Sequence, residues 1–179
     1  MVDLGVEKVA NYISETYLID IAKKLNDDEL IKGLTLFKNT SIGSKAPDFS
    51  FEISENKKTI TTKLNELYTA ENYVIVFWSS TCSHCLDEIP QLQTFIKAQD
   101  AEQLQVIAIG LEDEPYKWKD LTYDYPEFIH VYGEGKWDNK IGDDYGVTGT
   151  PTYFVLNKAK EIIAKPENVE ALKVFFEKE

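Results

Sequence analysis

Residues 73–90, YVIVFWSSTCSHCLDEIP, govern the reading of the whole chain. The run YVIVFW is short, apolar throughout and rich in β-branched and aromatic side chains. Such a run suits a central strand buried on both faces, as in sheets covered by helices. The polar stretch after it opens a helix expected from about Thr81 to Gln99. Working outward, LQVIAIG (104–110) reads as a second buried strand and FIHVY (128–132) as a third. TYFVLN (152–157) and EIIAK (161–165) bracket a turn at Asn157 to Lys160 and read as a hairpin. NVEALKVFFEK (168–178) closes the chain as an amphipathic helix. Upstream, DFSFEI (48–53) alternates as a strand does, with Phe49, Phe51 and Ile53 on one side, and TKLNELY (62–68) reads as a short helix. Strands alternate with helices, so the class is α/β.

The first 38 residues differ in character. Leu18, Ile21, Ala22 and Leu25, then Leu30, Ile31 and Leu34, recur at helical spacing, and Asn26 or Asp27 is placed to cap a new helix. Two or three short helices are expected. NTSIGSKAPDF (39–49) then breaks the pattern. The chain therefore divides into a helical extension, 1–40, and a main domain, 44–179. The extension's apolar stripe is too small for a core of its own. It is expected to pack on the back of the main domain, away from the cysteines, or else against a second copy, as a monomer or weak dimer. Met1 is the only methionine, which fits an artificial start behind which a leader, a lipid anchor or an upstream domain is missing.

Composition excludes some function classes. The 179 residues carry a formal charge of −12, and all 19 basic residues are lysine. Such a chain repels nucleic acid and anionic lipid surfaces. No apolar run approaches the roughly 18–20 residues that span a bilayer, and MVDLGVEKVANY lacks the layout of a signal peptide.

The two cysteines, Cys82 and Cys85, are the only ones in the chain. A structural disulfide closing so short a loop would stabilise little by chain entropy. A zinc site needs two further ligands, and the only histidines are His84 and His130. The remaining reading is redox chemistry. Cys82 falls at the start of a helix, where unpaired N–H groups and the helix dipole favour a thiolate. Cys85, one turn on, is near enough to attack the Cys82 sulfur and release a mixed disulfide.

APDFSF (46–51), VIVFWSSTCSHCLDEIP (74–90) and GVTGTPTYFVLN (146–157) resemble the TlpA/ResA-type thiol-disulfide oxidoreductases, a thioredoxin-like family close to the AhpC/TSA peroxiredoxins. The resemblance covers roughly residues 44–179. It implies a thioredoxin-like fold, a central mixed sheet flanked by helices, here with an N-terminal helical extension. It also implies roles: Cys82 attacking, Cys85 resolving, and Trp78 flanking the site from the strand end. Thr150 and Pro151 would be the pair joined by a cis peptide, with the Thr150 backbone free to receive an extended substrate. Glu88 matches a glutamate typical of the group and would take the proton from Cys85. Pro90 would kink the helix. Ser83 and His84 lie between the thiols. A protonated His84 would stabilise the thiolate and raise the potential to about −200 mV, above the roughly −270 mV of thioredoxin. One departure stands out: where thioredoxin carries a buried aspartate, six residues before the first cysteine, this chain has Val76.

The expected activity is thiol-disulfide exchange with protein disulfides, recharged by an upstream thiol reductant, without cofactor or metal. The resemblance implies a periplasmic or membrane-tethered, periplasm-facing location. Two other classes compete. A peroxiredoxin needs a proline where Ile75 stands, although Ser79 fits its minus-three position, and an arginine the chain lacks. A binding module with idle thiols would need neither sulfur.

Overall fold

The computed structural model describes residues 4–55 and 58–178. Two helical segments, α1 (Leu4–Ile13) and α2 (Ile19–Leu25), are joined by a wider π turn over Ser14–Leu18. Asn26 ends α2 in the left-handed conformation, with φ 53°. Asp27 caps the next helix, α3 (Asp28–Thr40), by accepting from the Leu30 N–H at 3.0 Å. Of the two cap candidates, one stops a helix and the other starts one.

The extension touches the rest of the chain at a few points. Leu36 rests on Gly146, Asn11 Nδ2 donates to Ser44 Oγ at 3.4 Å, and Lys165 pairs with Glu7. Of the stripe read in the sequence, Ala22 is buried and Ile31 and Leu34 are half-buried, while Leu18, Ile21, Leu25 and Leu30 are exposed. The stripe is covered only in part within this chain. α2 and α3 pack chiefly on each other, around the buried Ala22.

The main domain begins with a hairpin, β1 (Ser50–Glu55) and β2 (Lys58–Lys63), whose turn lies outside the described residues. β2 was not expected from the sequence. A single 3₁₀ turn, Leu64–Glu66, stands where a short helix was read. The main sheet comprises β3 (Asn72–Trp78), β4 (Leu104–Glu112), β5 (Ile129–Glu134), β6 (Thr152–Asn157) and β7 (Ile162–Ala164), in the order β5-β4-β3-β6-β7. β3, β4 and β5 run parallel, while β6 and β7 form the antiparallel hairpin expected of them. Helix α4 (Ser83–Lys97) follows β3. The short α5 (Pro115–Thr122) and α6 (Lys140–Asp144), not foreseen in the sequence, follow β4 and precede β6, and α7 (Val169–Phe176) ends the chain.

β3 shows why its run is apolar at every position. Tyr73, Ile75 and Phe77 point into one core with Phe49, Phe51, Tyr145 and Phe154. Val74, Val76 and Trp78 point into the other, with Ile89 and Leu92 of α4, Trp118 of α5 and Leu172 of α7. Gly110 in β4 lets Trp118 lie flat on the strand: a Cβ there would sit 1.9 Å from Trp118 Nε1. The mixed five-stranded sheet with helices on both faces is the thioredoxin-like fold expected from the resemblance. Its parallel strands end at one edge, where β3 hands over to α4, and crevices at such carboxyl ends are where open α/β sheets place their sites.

Candidate active site

β3 ends at Trp78, and Ser79 to Thr81 turn the chain into α4. Cys82 is the N-cap residue of that helix. Its sulfur accepts from the Cys85 N–H at 3.3 Å, as an N-cap side chain should. Its thiol donates to the Thr150 carbonyl at 3.2 Å across the site, and the Thr150–Pro151 peptide is cis. Residues 68 positions apart therefore meet at one sulfur. Both cysteines are free thiols, Cys82 partly exposed and Cys85 fully buried.

The two thiols are shifted in opposite directions. Burial works to raise the Cys82 pKa. The Cys85 thiol, the Thr150 side chain and the backbone N–H groups of Cys85 and His84 outweigh it, and the net shift is downward. At Cys85, burial and then the hydrogen bond to Cys82 push the thiol up to about 12. The two protons belong to a coupled pair. The first leaves below the ordinary thiol range and the second far above it, so one sulfur is a ready nucleophile and the other holds its proton.

Glu88 lies one turn beyond Cys85 on α4. Its Oε2 accepts from Tyr153 Oη at 2.8 Å and from the Val169 N–H, the first turn of α7, at 3.0 Å. Ser83 and His84 are exposed at the helix start. The backbone N–H of His84, not its ring, acts on the Cys82 sulfur. Trp78 is 1% exposed and packs edge-on against Tyr125, ring centroids 6.2 Å apart. It forms a wall beneath the site rather than a surface open to a substrate. His130 packs between Trp118 and Phe128, with Nε2 bonded to the Tyr125 carbonyl oxygen at 2.8 Å. Among the described residues, no group of three or more His, Cys, Asp or Glu could hold a metal ion, and no helix is long and apolar enough to cross a membrane.

Two residues escaped the reading of the sequence. Glu112, at the end of β4, is 3% exposed and accepts from the Ser80 N–H, which ties the loop before Cys82 to the sheet. Its only signal is a carboxylate directly after a buried strand. Tyr153 is 1% exposed and stands directly across the ladder from Val76. A tyrosine at an inward position of a central strand needs a partner for its hydroxyl. That signal was present, but it does not say which partner.

The Redoxin family profile matches residues 41–173. The thiol-disulfide oxidoreductase ResA of Oceanobacillus iheyensis is 24% identical over 128 residues, covering 68% of this chain and 62% of its own length. The sporulation thiol-disulfide oxidoreductase A of Bacillus subtilis is 26% identical over 98 residues, covering 50% of this chain and 54% of its own length. The chain thus spans less than two-thirds of either relative. The thioredoxin domain of a thiol-disulfide oxidoreductase from Bacteroides vulgatus superposes with a TM-score of 0.62 at 20% identity, covering 76% of this chain and 96% of that domain. That likeness is one of fold. Together these matches agree with the TlpA/ResA-type resemblance carried by residues 74–90 and 146–157.

Proposed function

This chain belongs to the Redoxin family, and on that premise we propose that it is a thiol-disulfide oxidoreductase acting on protein disulfides. The Cys82 thiolate attacks a substrate disulfide and forms a mixed disulfide, releasing the first substrate thiol. Cys85 then attacks the Cys82 sulfur, the second substrate thiol leaves, and Cys82–Cys85 closes as a disulfide. A thiol reductant returns the pair to the dithiol. The observation that carries this reading is a pair of free thiols one helical turn apart at the start of α4, with Cys82 partly exposed and bonded to the Cys85 N–H and the Thr150 carbonyl, and Cys85 buried behind it.

Glu88 is the proton acceptor for Cys85 in this scheme, and His84 acts on the couple through its backbone N–H. The stretch around Thr150 and Pro151 receives the substrate backbone. On the strength of the TlpA/ResA resemblance, the protein works facing the periplasm, free or tethered. A peroxidase is disfavoured, because a chain without arginine lacks the group that activates a peroxidatic thiolate. The test is insulin reduction with dithiothreitol as electron source. Wild type should accelerate precipitation of the insulin B chain and Cys82→Ser should not. Equal rates with and without the protein would sink the proposal.

A further inference from the structure

The resolving step has a proton problem. Burial is the largest cause that pushes the Cys85 thiol up, and it persists once Cys82 is tied to the substrate in a mixed disulfide, so at neutral pH the Cys85 thiol holds its proton. The attack by Cys85 therefore needs a group that removes its proton as the new bond forms. The buried aspartate that would do this in thioredoxin is absent, because Val76 occupies its place. The residue across the ladder from Val76 is Tyr153, and its side chain lies in the same core cluster as Cys85 and Val169. Its phenol is bonded to Glu88 and lies within electrostatic reach of both thiols. Burial, and then the bond to Glu88, push its pKa far up, so at neutral pH Tyr153 donates a proton in a hydrogen bond and does not itself act as a base.

We propose that Tyr153 is a positioning residue for the resolving step: its O–H, together with the Val169 N–H, holds the Glu88 carboxylate, one helical turn beyond Cys85, where it receives the proton shed by Cys85. This rests on the proposed exchange activity. Both hydrogen bonds fall on Oε2, which leaves Oε1 for the incoming proton, directly or through one water. The step balances as follows. The Cys85 sulfur bonds to the Cys82 sulfur, and the bond from Cys82 to the substrate sulfur breaks. The substrate sulfur leaves with the electron pair as a thiolate, and the proton of Cys85 passes to Glu88. The protein pair is oxidised and the substrate is reduced. Glu88 is only half-buried, so the proton can pass on to solvent or to the departing thiolate.

Two donors from different elements are needed because Glu88 sits on an exposed-to-buried boundary of α4. A free glutamate there would swing between rotamers. Bonded to a strand and to the start of a second helix, it has one.

The experiment uses the full reduced chain and a symmetrical aromatic disulfide that releases a coloured thiolate, such as 5,5′-dithiobis(2-nitrobenzoate), in a stopped-flow instrument. The first release reports attack by Cys82 and the second reports resolution by Cys85. Tyr153→Phe keeps the ring and removes the donor. It should lower the ratio of the second rate to the first about 5- to 10-fold at pH 7. It should also make the second rate climb nearly tenfold per pH unit from 6 to 9, as a step limited by thiolate alone does. Wild type should climb less steeply. Glu88→Gln should show the same steep profile, and adding Tyr153→Phe to it should change the ratio less than twofold, because Tyr153 acts through Glu88. An unchanged ratio and profile in Tyr153→Phe, or a full further loss in the double variant, overturns the proposal. Absence of the first release in wild type would instead overturn the exchange activity itself.

Discussion

Alkylation of the two thiols offers the most quantitative check on the site. At pH 7 a thiol at an ordinary 9.0 is ionised about once in 100 molecules, and Cys82 lies below that value. Cys85, near 12, is ionised about once in 10⁵. The thiolate populations therefore differ by at least about 10³. A more basic thiolate is more nucleophilic, with a Brønsted slope of about 0.4–0.5, which returns a factor of about 15–30 to Cys85 over that gap. The net preference for Cys82 is at least about 30-fold, before the complete burial of Cys85 is counted. Reduced protein should be pulsed with iodoacetamide at pH 7, quenched, and the two positions quantified by mass spectrometry. Early time points, before a second modification occurs, set the ratio. Modification at Cys82 should exceed that at Cys85 by 30-fold or more. Comparable rates at both positions would refute the assignment of attacking and resolving thiols, and a faster Cys85 would reverse it.

Two further outcomes follow from the packing. Cys85 stays protonated in the folded dithiol to about pH 12, while in the unfolded chain it ionises near 9.0; its contribution to stability is complete below pH 9 and is lost as pH rises from 9 to 12, by about 1 kcal/mol per pH unit. Urea titrations between pH 9 and 11 should show the gap between reduced wild type and Cys85→Ala shrinking with pH, and a gap independent of pH would contradict this. Gly110→Ala places a methyl 1.9 Å from the Trp118 indole, so the ring must shift at a cost of about 1–3 kcal/mol; an unchanged urea midpoint would show that α5 does not rest on the sheet as described.

The part of the fold that the sequence made legible is the part where burial is two-sided. YVIVFW and LQVIAIG have no alternative to a covered sheet, and the two cysteines follow the first of them at the turn into a helix. The elements that escaped are those with little burial to leave a pattern. β2 is almost wholly exposed, so its threonines carry no in-out alternation. α5 and α6 span 8 and 5 residues, too short for helical periodicity to register. At the site, Cys82, Cys85 and Glu88 are close in sequence and could be read together from helix spacing. The links from Glu88 to Tyr153 and from Ser80 to Glu112 join residues 65 and 32 positions apart, and only strand order brings them together. The extension was legible as helices but not in its packing, since an apolar stripe says that a face wants cover and not where cover is found.

The central claim is the order of attack, Cys82 first and Cys85 second. It is tested most directly by trapping. Reduced Cys85→Ser and reduced Cys82→Ser should each be incubated with a protein disulfide such as oxidised insulin, then acid-quenched and run on a non-reducing gel, with the linked peptides identified by mass spectrometry. The account predicts a stable adduct joined through Cys82 in Cys85→Ser, and no adduct in Cys82→Ser. An adduct through Cys85 in Cys82→Ser, with none in Cys85→Ser, would contradict it.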